Sequence, residues 1–86
     1  MKFFDKLGNE LKIGDYLVGP SYRRQEDYFV INDYYRSPVY EIMGVDLHYL
    51  PKDSINGSAG WFTVHKIRSK YTKMSEIERV KFLLEI

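Results

Sequence analysis

The sequence predicts a mainly β fold, a small curled antiparallel barrel of about five strands with a C-terminal α-helix. Three observations carry that expectation. Turn chemistry built from aspartate and glycine recurs at short intervals through residues 5–18. Runs dense in β-branched and aromatic residues at 28–31, 39–50 and 61–68 match the composition of half-buried strands. Apolar residues at helical spacing stand out only after residue 75. At 86 residues the chain reads as one domain, 1–86, with its helix at 75–86.

Asp5-Lys6-Leu7-Gly8 has the composition of a type I turn, with aspartate first and glycine fourth. The carboxylate accepts a nearby backbone N–H, and glycine tolerates the positive φ that follows. Phe3-Phe4 before it and Leu11-Lys12-Ile13 after it make a small hairpin. Gly14-Asp15 is a second bend, and Leu11, Ile13 and Leu17 are expected to point inward. The pattern Asp5-x-x-Gly8-x-x-Leu11-x-x-Gly14-Asp15-x-Leu17 resembles the opening of small Src-homology-3-like barrels of phages and bacteria. It covers about fourteen residues, roughly a sixth of the chain, and its elements are turn chemistry. The resemblance implies an SH3-like barrel. In function it implies a phage-type accessory protein that modulates a host or viral complex.

Residues 19–27 are polar, contain Pro20 and lack periodicity, and so read as a solvated loop, with a specificity loop for a partner as the functional alternative. Tyr28 to Ile31 begins a strand that Asn32 to Pro38, rich in turn residues, is expected to interrupt. Residues 39–50 form a second long strand. Its better core face is Val39, Glu41, Met43, Val45, Leu47 and Tyr49, because the opposite face turns polar halfway along. Gly44 inside that strand marks a bulge or sharp bend. Residues 51–60 form a loop with Asn56-Gly57 as a strong turn dipeptide.

Trp61 to Arg68 is expected to be the last strong strand. Phe62 and Val64 share one face, Trp61, Thr63, His65 and Ile67 the other, and a bulge would bring Phe62, Val64 and Ile67 inside together. Ser75-Glu76-Ile77-Glu78 is a capping box that starts the helix. Ile77, Val80, Leu83 and Leu84 form its apolar face, expected to lie on the sheet. Phe82 and Ile86 then point away and are candidates for a homodimer or partner contact.

Composition excludes several classes of function. With no cysteine the chain has neither disulfides nor thiolate metal ligands. A net charge of +1 excludes a strongly basic coat or an acidic nucleic-acid mimic. The charge is divided, with seven basic and nine acidic side chains in residues 1–53 against six and three in residues 54–86. The apolar pair Phe3-Phe4 is cut short by Asp5, so no secretory signal is expected, and no run reaches the ~18 apolar residues of a membrane span. A cytoplasmic protein without membrane contact is expected.

Chemistry fares poorly. The two histidines, His48 and His65, fall on different expected strands. Asp46 shares the face of His48, but no fixed ligand spacing supports a zinc site. Neither metal nor cofactor is expected. No nucleophile elbow or phosphate-binding glycine loop is present, and Glu26-Asp27 read as solvated. The expectation is therefore a non-enzymatic binding module with no catalytic residues.

Two polar features point to partners. Tyr22, Arg23, Tyr34, Tyr35, Arg36 and Tyr40 supply the tyrosine–arginine mixture of protein interface hot spots, gathered by loops at one rim of a barrel. From Ser54 to Ser75 there is no acidic residue. Lys66, Arg68, Lys70 and Lys73 in that stretch, with Tyr71 for stacking, give the alternative reading: weak nucleic-acid binding along a basic strand, 65–73. The first reading, docking on a protein, is the leading one.

Overall fold

The computed structural model describes residues 2–36, 42–50 and 57–85. Its opening turn forms through the side chain that starts it. Gly8 N–H donates to the Asp5 carbonyl at 3.2 Å with φ +85° at Gly8. The Asp5 carboxylate accepts the N–H groups of Leu7 at 2.9 Å and Asn9 at 2.7 Å. This turn joins β1 (Phe3–Phe4) to β2 (Glu10–Leu11) with Phe3 opposite Leu11. The next turn, Lys12 to Asp15, is closed by Asp15 N–H on the Lys12 carbonyl at 3.1 Å, with Gly14 at φ +96°. Leu11 and Leu17 are buried as expected, but Ile13 is half exposed. It sits inside the turn, where strand alternation has stopped.

Among the described residues, seven strands form two antiparallel sheets. Beside the β1–β2 ribbon stands a five-stranded sheet of β3 (Tyr16–Gly19), β4 (Asp27–Arg36), β5 (Ile42–Tyr49), β6 (Ser58–Thr63) and β7 (Thr72–Lys73), ordered β6-β5-β4-β3-β7. Successive strands pair as a meander, and β7 returns to β3 through Leu17 opposite Lys73 and Val18 opposite Thr72. β6 and β7 are the two edges of this sheet.

β4 corrects one expectation: strand continues through Asn32 to Arg36. A register shift between Ile31 and Asp33 absorbs Asn32, so turn-forming residues are accommodated as a bulge within the strand. A second shift opposes Arg36 to Ile42 and Tyr35 to Gly44, leaving Met43 as the extra residue. That is the irregularity Gly44 foretold. It also inverts the face assignment there, because Ile42 is buried and Met43 is half exposed, while Val45, Leu47 and Tyr49 face the core as expected.

The sheet is covered on both faces. On one, Leu17, Phe29, Ile31, Val45 and Leu47 pack with Phe3 and Leu11 of the ribbon and with Ile67 and Tyr71. Those last two belong to α1 (Val64–Lys70) and the residue after it, so a helix stands where the strand was expected to continue. Thr63 ends β6 and caps the helix, its Oγ1 accepting Lys66 N–H at 3.1 Å. Phe62, Val64 and Ile67 do reach the core together, delivered by the helical turn and not by a bulge.

On the other face, Tyr16, Val18, Tyr28 and Val30 meet Leu50, Met74 and Phe82. Phe82 comes from α2 (Glu76–Glu85), which begins at the capping box: Ser75 Oγ accepts Glu78 N–H, and Glu78 Oε1 accepts Ser75 N–H, both at 3.2 Å. The face of α2 is the reverse of that expected. Phe82 is buried between Tyr16 and Tyr28, with ring centroids at 6.4 and 4.9 Å, and the Arg79 guanidinium lies 4.3 Å from the Tyr16 ring centre. Ile77, Val80, Leu83 and Leu84 are exposed. One aromatic ring that fills a slot between two others outweighs a stripe of aliphatics with no matching groove. Leu84→Lys is accordingly expected to change stability by less than about 0.5 kcal/mol in denaturant titrations. A loss several times larger would return the stripe to the interior.

Candidate functional site

Loop residues 20–26 are organised by a buried carboxylate, so the solvated reading of Asp27 is corrected. Asp27 is 2% exposed and receives Arg23 Nε at 2.7 Å, Ser21 Oγ at 3.0 Å and Tyr28 N–H at 2.9 Å. Burial alone would raise its pKa, but these donors and the Arg23 charge hold it below the ordinary carboxylate value. The Arg23 guanidinium is thereby fixed, with its carbon 4.2 Å from the centre of the Tyr49 ring. Tyr22 next to it is 93% exposed. Beside them opens a cleft of about 390 Å³, lined by Tyr22, Tyr49, Ala59, Phe62, Lys66 and Lys70.

Tyr34, Tyr35 and Arg36 lie at the far end of β4. Eight residues of strand separate Tyr35 from Asp27, roughly 26 Å. The expected single rim is therefore divided between two ends of the molecule. Tyr40 lies outside the described residues. Tyr34 turns to the core and meets Phe3 edge to face at 5.7 Å, with the Arg36 guanidinium 5.4 Å from its ring centre. Tyr35 turns to the opposite face, where its ring lies 5.3 Å from that of Trp61. Strand register explains the meeting: Gly44 opposes Tyr35 on one side and Thr63 on the other, and Trp61 opposes Asp46. The absence of a side chain at Gly44 lets the backbone of β6 come close, since a β-carbon there would lie 2.6 Å from the Phe62 carbonyl oxygen. Met43, carried outward by the bulge, completes an apolar notch of about 180 Å³. Tyr35, Met43 and Trp61 are each about half exposed.

The basic run does not form one surface. Lys66 and Lys70 are one helical turn apart on α1 and line the cleft together. Arg68, two residues from each, lies on the opposite flank of the helix at 100° per residue. Lys73 is on β7, with its Nζ 3.6 Å from Asp15 Oδ2. Tyr71 is fully buried and its hydroxyl donates to the Pro20 carbonyl, so it does not stack on a base. Burial first, then the neighbouring Tyr49 and Asp27, push the Tyr71 hydroxyl pKa up to about 12. Phe82, read as a dimer contact, is interior, and Ile86 lies outside the described residues.

Asp46 and His48 do meet, His48 Nε2 lying 3.0 Å from Asp46 Oδ2. The other partners of Asp46 are Asn32 Nδ2 at 3.1 Å and Ser58 Oγ at 3.0 Å, so one carboxylate ties β4, β5 and β6 together. Ser58 donates to the carboxylate and not to the imidazole, which is not the order that activates a serine nucleophile. Among the described residues, no three histidine, aspartate or glutamate side chains group as metal ligands. No helix among them is long and apolar enough to cross a membrane.

Trp61, Met43, Tyr49 and Phe62 were not singled out as site residues from the sequence. The first two depend on a bulge and a register; the others depend on α1 folding back beside β6. No protein-family model matches the chain, and no curated protein or solved structure matches it.

Proposed function

We propose that the chain is a non-enzymatic module that docks on another protein through the notch formed by Tyr35, Met43 and Trp61. One observation carries this reading. Three large apolar side chains of the types enriched at interfaces converge, half exposed, around one notch that Gly44 also lines. The occupant is a partner's aliphatic or aromatic side chain. The strand order supports an SH3-like architecture, since the four-strand meander β3–β6 is followed by β7, which pairs back with β3. The opening motif adds the setting of a phage-type accessory protein acting on a host or viral complex in the cytoplasm.

Trp61 is the chain's single tryptophan, so its fluorescence reports on the notch alone. Tagged protein used to capture partners from a cell extract is expected to lose at least about tenfold in yield with Trp61→Ala or Tyr35→Ala, the loss usual for a hot spot. Thermal melts check that both variants stay folded, and Trp61 emission should shift to the blue on adding the captured partner. Undiminished capture by both folded variants removes the notch as the site.

A further inference from the structure

A second surface has a different chemistry, and we infer that the cleft between α1 and the loop carrying Tyr22 binds a nucleotide unit, its phosphate on Lys66 and Lys70 and its base on Tyr22. The volume, about 390 Å³, lies within the range of small-ligand sites. Its floor is aromatic: Tyr49 and Phe62 are both held in the core cluster, their rings 5.4 and 6.2 Å from that of Phe29.

The charge in the cleft is positive and available. Lys66 Nζ rests 4.9 Å from the centre of the Phe62 ring, and among the described residues no carboxylate lies within ion-pair distance of Lys66 or Lys70. Asp27, the carboxylate behind Tyr49, has its charge met by Arg23. Two cations over an aromatic floor favour a ligand that is both anionic and planar.

Tyr22 supplies the third part. At 93% exposure its ring keeps both faces largely in water. One backbone and one side-chain bond order the turn around it, with Ser21 N–H on the Arg24 carbonyl at 2.8 Å and Arg23 N–H on Ser21 Oγ at 3.2 Å. A solvent-exposed ring on an ordered turn, beside paired lysines, is the combination that single-stranded nucleic acids use: stacking for the base and cations for the backbone. A free nucleotide presents the same chemistry.

The test is fluorescence anisotropy of a labelled ten-residue oligothymidylate at low salt, with unlabelled thymidine 5′-monophosphate and inorganic phosphate as competitors. Binding is expected to weaken at least about fivefold in Tyr22→Ala, the usual worth of one stacked base. It should be lost in the double variant Lys66→Gln, Lys70→Gln. Two phosphate contacts predict a fall of about sevenfold between 50 and 200 mM salt. Arg68→Gln, on the other flank of α1, should bind as the unaltered protein does. Competition by the mononucleotide at micromolar concentration assigns the cleft to a free nucleotide; competition only by unlabelled oligonucleotide assigns it to a strand. Three results overturn the inference: no binding at low salt, equal loss with Arg68→Gln, or competition by inorganic phosphate equal to that of the nucleotide. The tested side chains are exposed, and circular dichroism verifies the fold of each variant.

Discussion

Gly19→Ala is expected to destabilise the protein by about 3 kcal/mol or more, at the upper end of overpacking costs. A β-carbon at Gly19 would meet Tyr71 Cδ2 and lie 2.7 Å from Cε2 and 2.8 Å from Cγ. These are atoms of a ring with nowhere to go. Tyr71 is fully buried, edge to face with Phe29 and Phe62 at 5.7 Å each, and its hydroxyl is engaged by the Pro20 carbonyl. Moving the ring breaks that bond and opens the junction of β3, α1 and the core. For a domain of this size the loss corresponds to a melting temperature lower by roughly 12–24 °C. Removing the obstacle provides the control. In the background Tyr71→Leu, itself destabilised, adding Gly19→Ala should cost less than about 1 kcal/mol, which is a large coupling in a double-mutant cycle. Additive effects, or a neutral Gly19→Ala, would show that the ring is not held there.

What was legible in the sequence follows the range of the interactions involved. The turns at Asp5 and Asp15 and the capping box at Ser75 are set by side chains bonding to backbone within four residues, and all three form as read. α1 was not legible. Lys66, Arg68 and Lys70 alternate as a strand would, and only the burial of Ile67 and Tyr71 in a core built by distant strands makes the helix the better choice. The orientation of α2 failed for a related reason. Its apolar residues run nearly round the helix, so the sequence offered two faces, and the decision lay with Tyr16 and Tyr28 on the sheet.

The candidate surfaces behave likewise. Tyr22 and Tyr35 were visible as aromatic, interface-type residues, but their neighbours were not. Trp61 reaches Tyr35 only through two strand pairings and a bulge, while Lys66 and Lys70 reach Tyr22 only after a chain reversal. The single rim drawn from residues near one another in sequence became two sites because Arg23 lies beyond one end of the ten-residue β4 and Tyr35 near the other.

Asp5 closes the fold at both ends of the chain, and Asp5→Ala is expected to cost about 3 kcal/mol, as for loss of several bonds to a buried charged acceptor. Besides the turn it forms, its Oδ2 accepts Lys73 N–H from β7 at 2.7 Å and Asn9 Nδ2 at 3.0 Å. One carboxylate thus joins the first hairpin to the last strand. Asp5→Asn should fail almost as badly despite its shape. An amide keeps one acceptor oxygen for Leu7 and Asn9 but turns an NH₂ toward Lys73 N–H and the Asn9 amide, placing donor against donor. Burial alone would raise the Asp5 pKa, but the bonds from Lys73, Asn9 and Leu7 outweigh it and lower the value in the folded protein, as happens at Asp27. A folded-state pKa below that of the unfolded chain means that the stabilisation is complete above about pH 4. It disappears as pH falls through the lowered values, because the unfolded state then takes up protons that the folded state refuses. Urea titrations from pH 7 to pH 2.5 should therefore find stability level down to about pH 4 and falling steeply below it. The fall should be shallower in Asp5→Asn, which lacks that titrating group. A slope identical in the two proteins would mean that the carboxylate is not the charged link between the hairpin and β7.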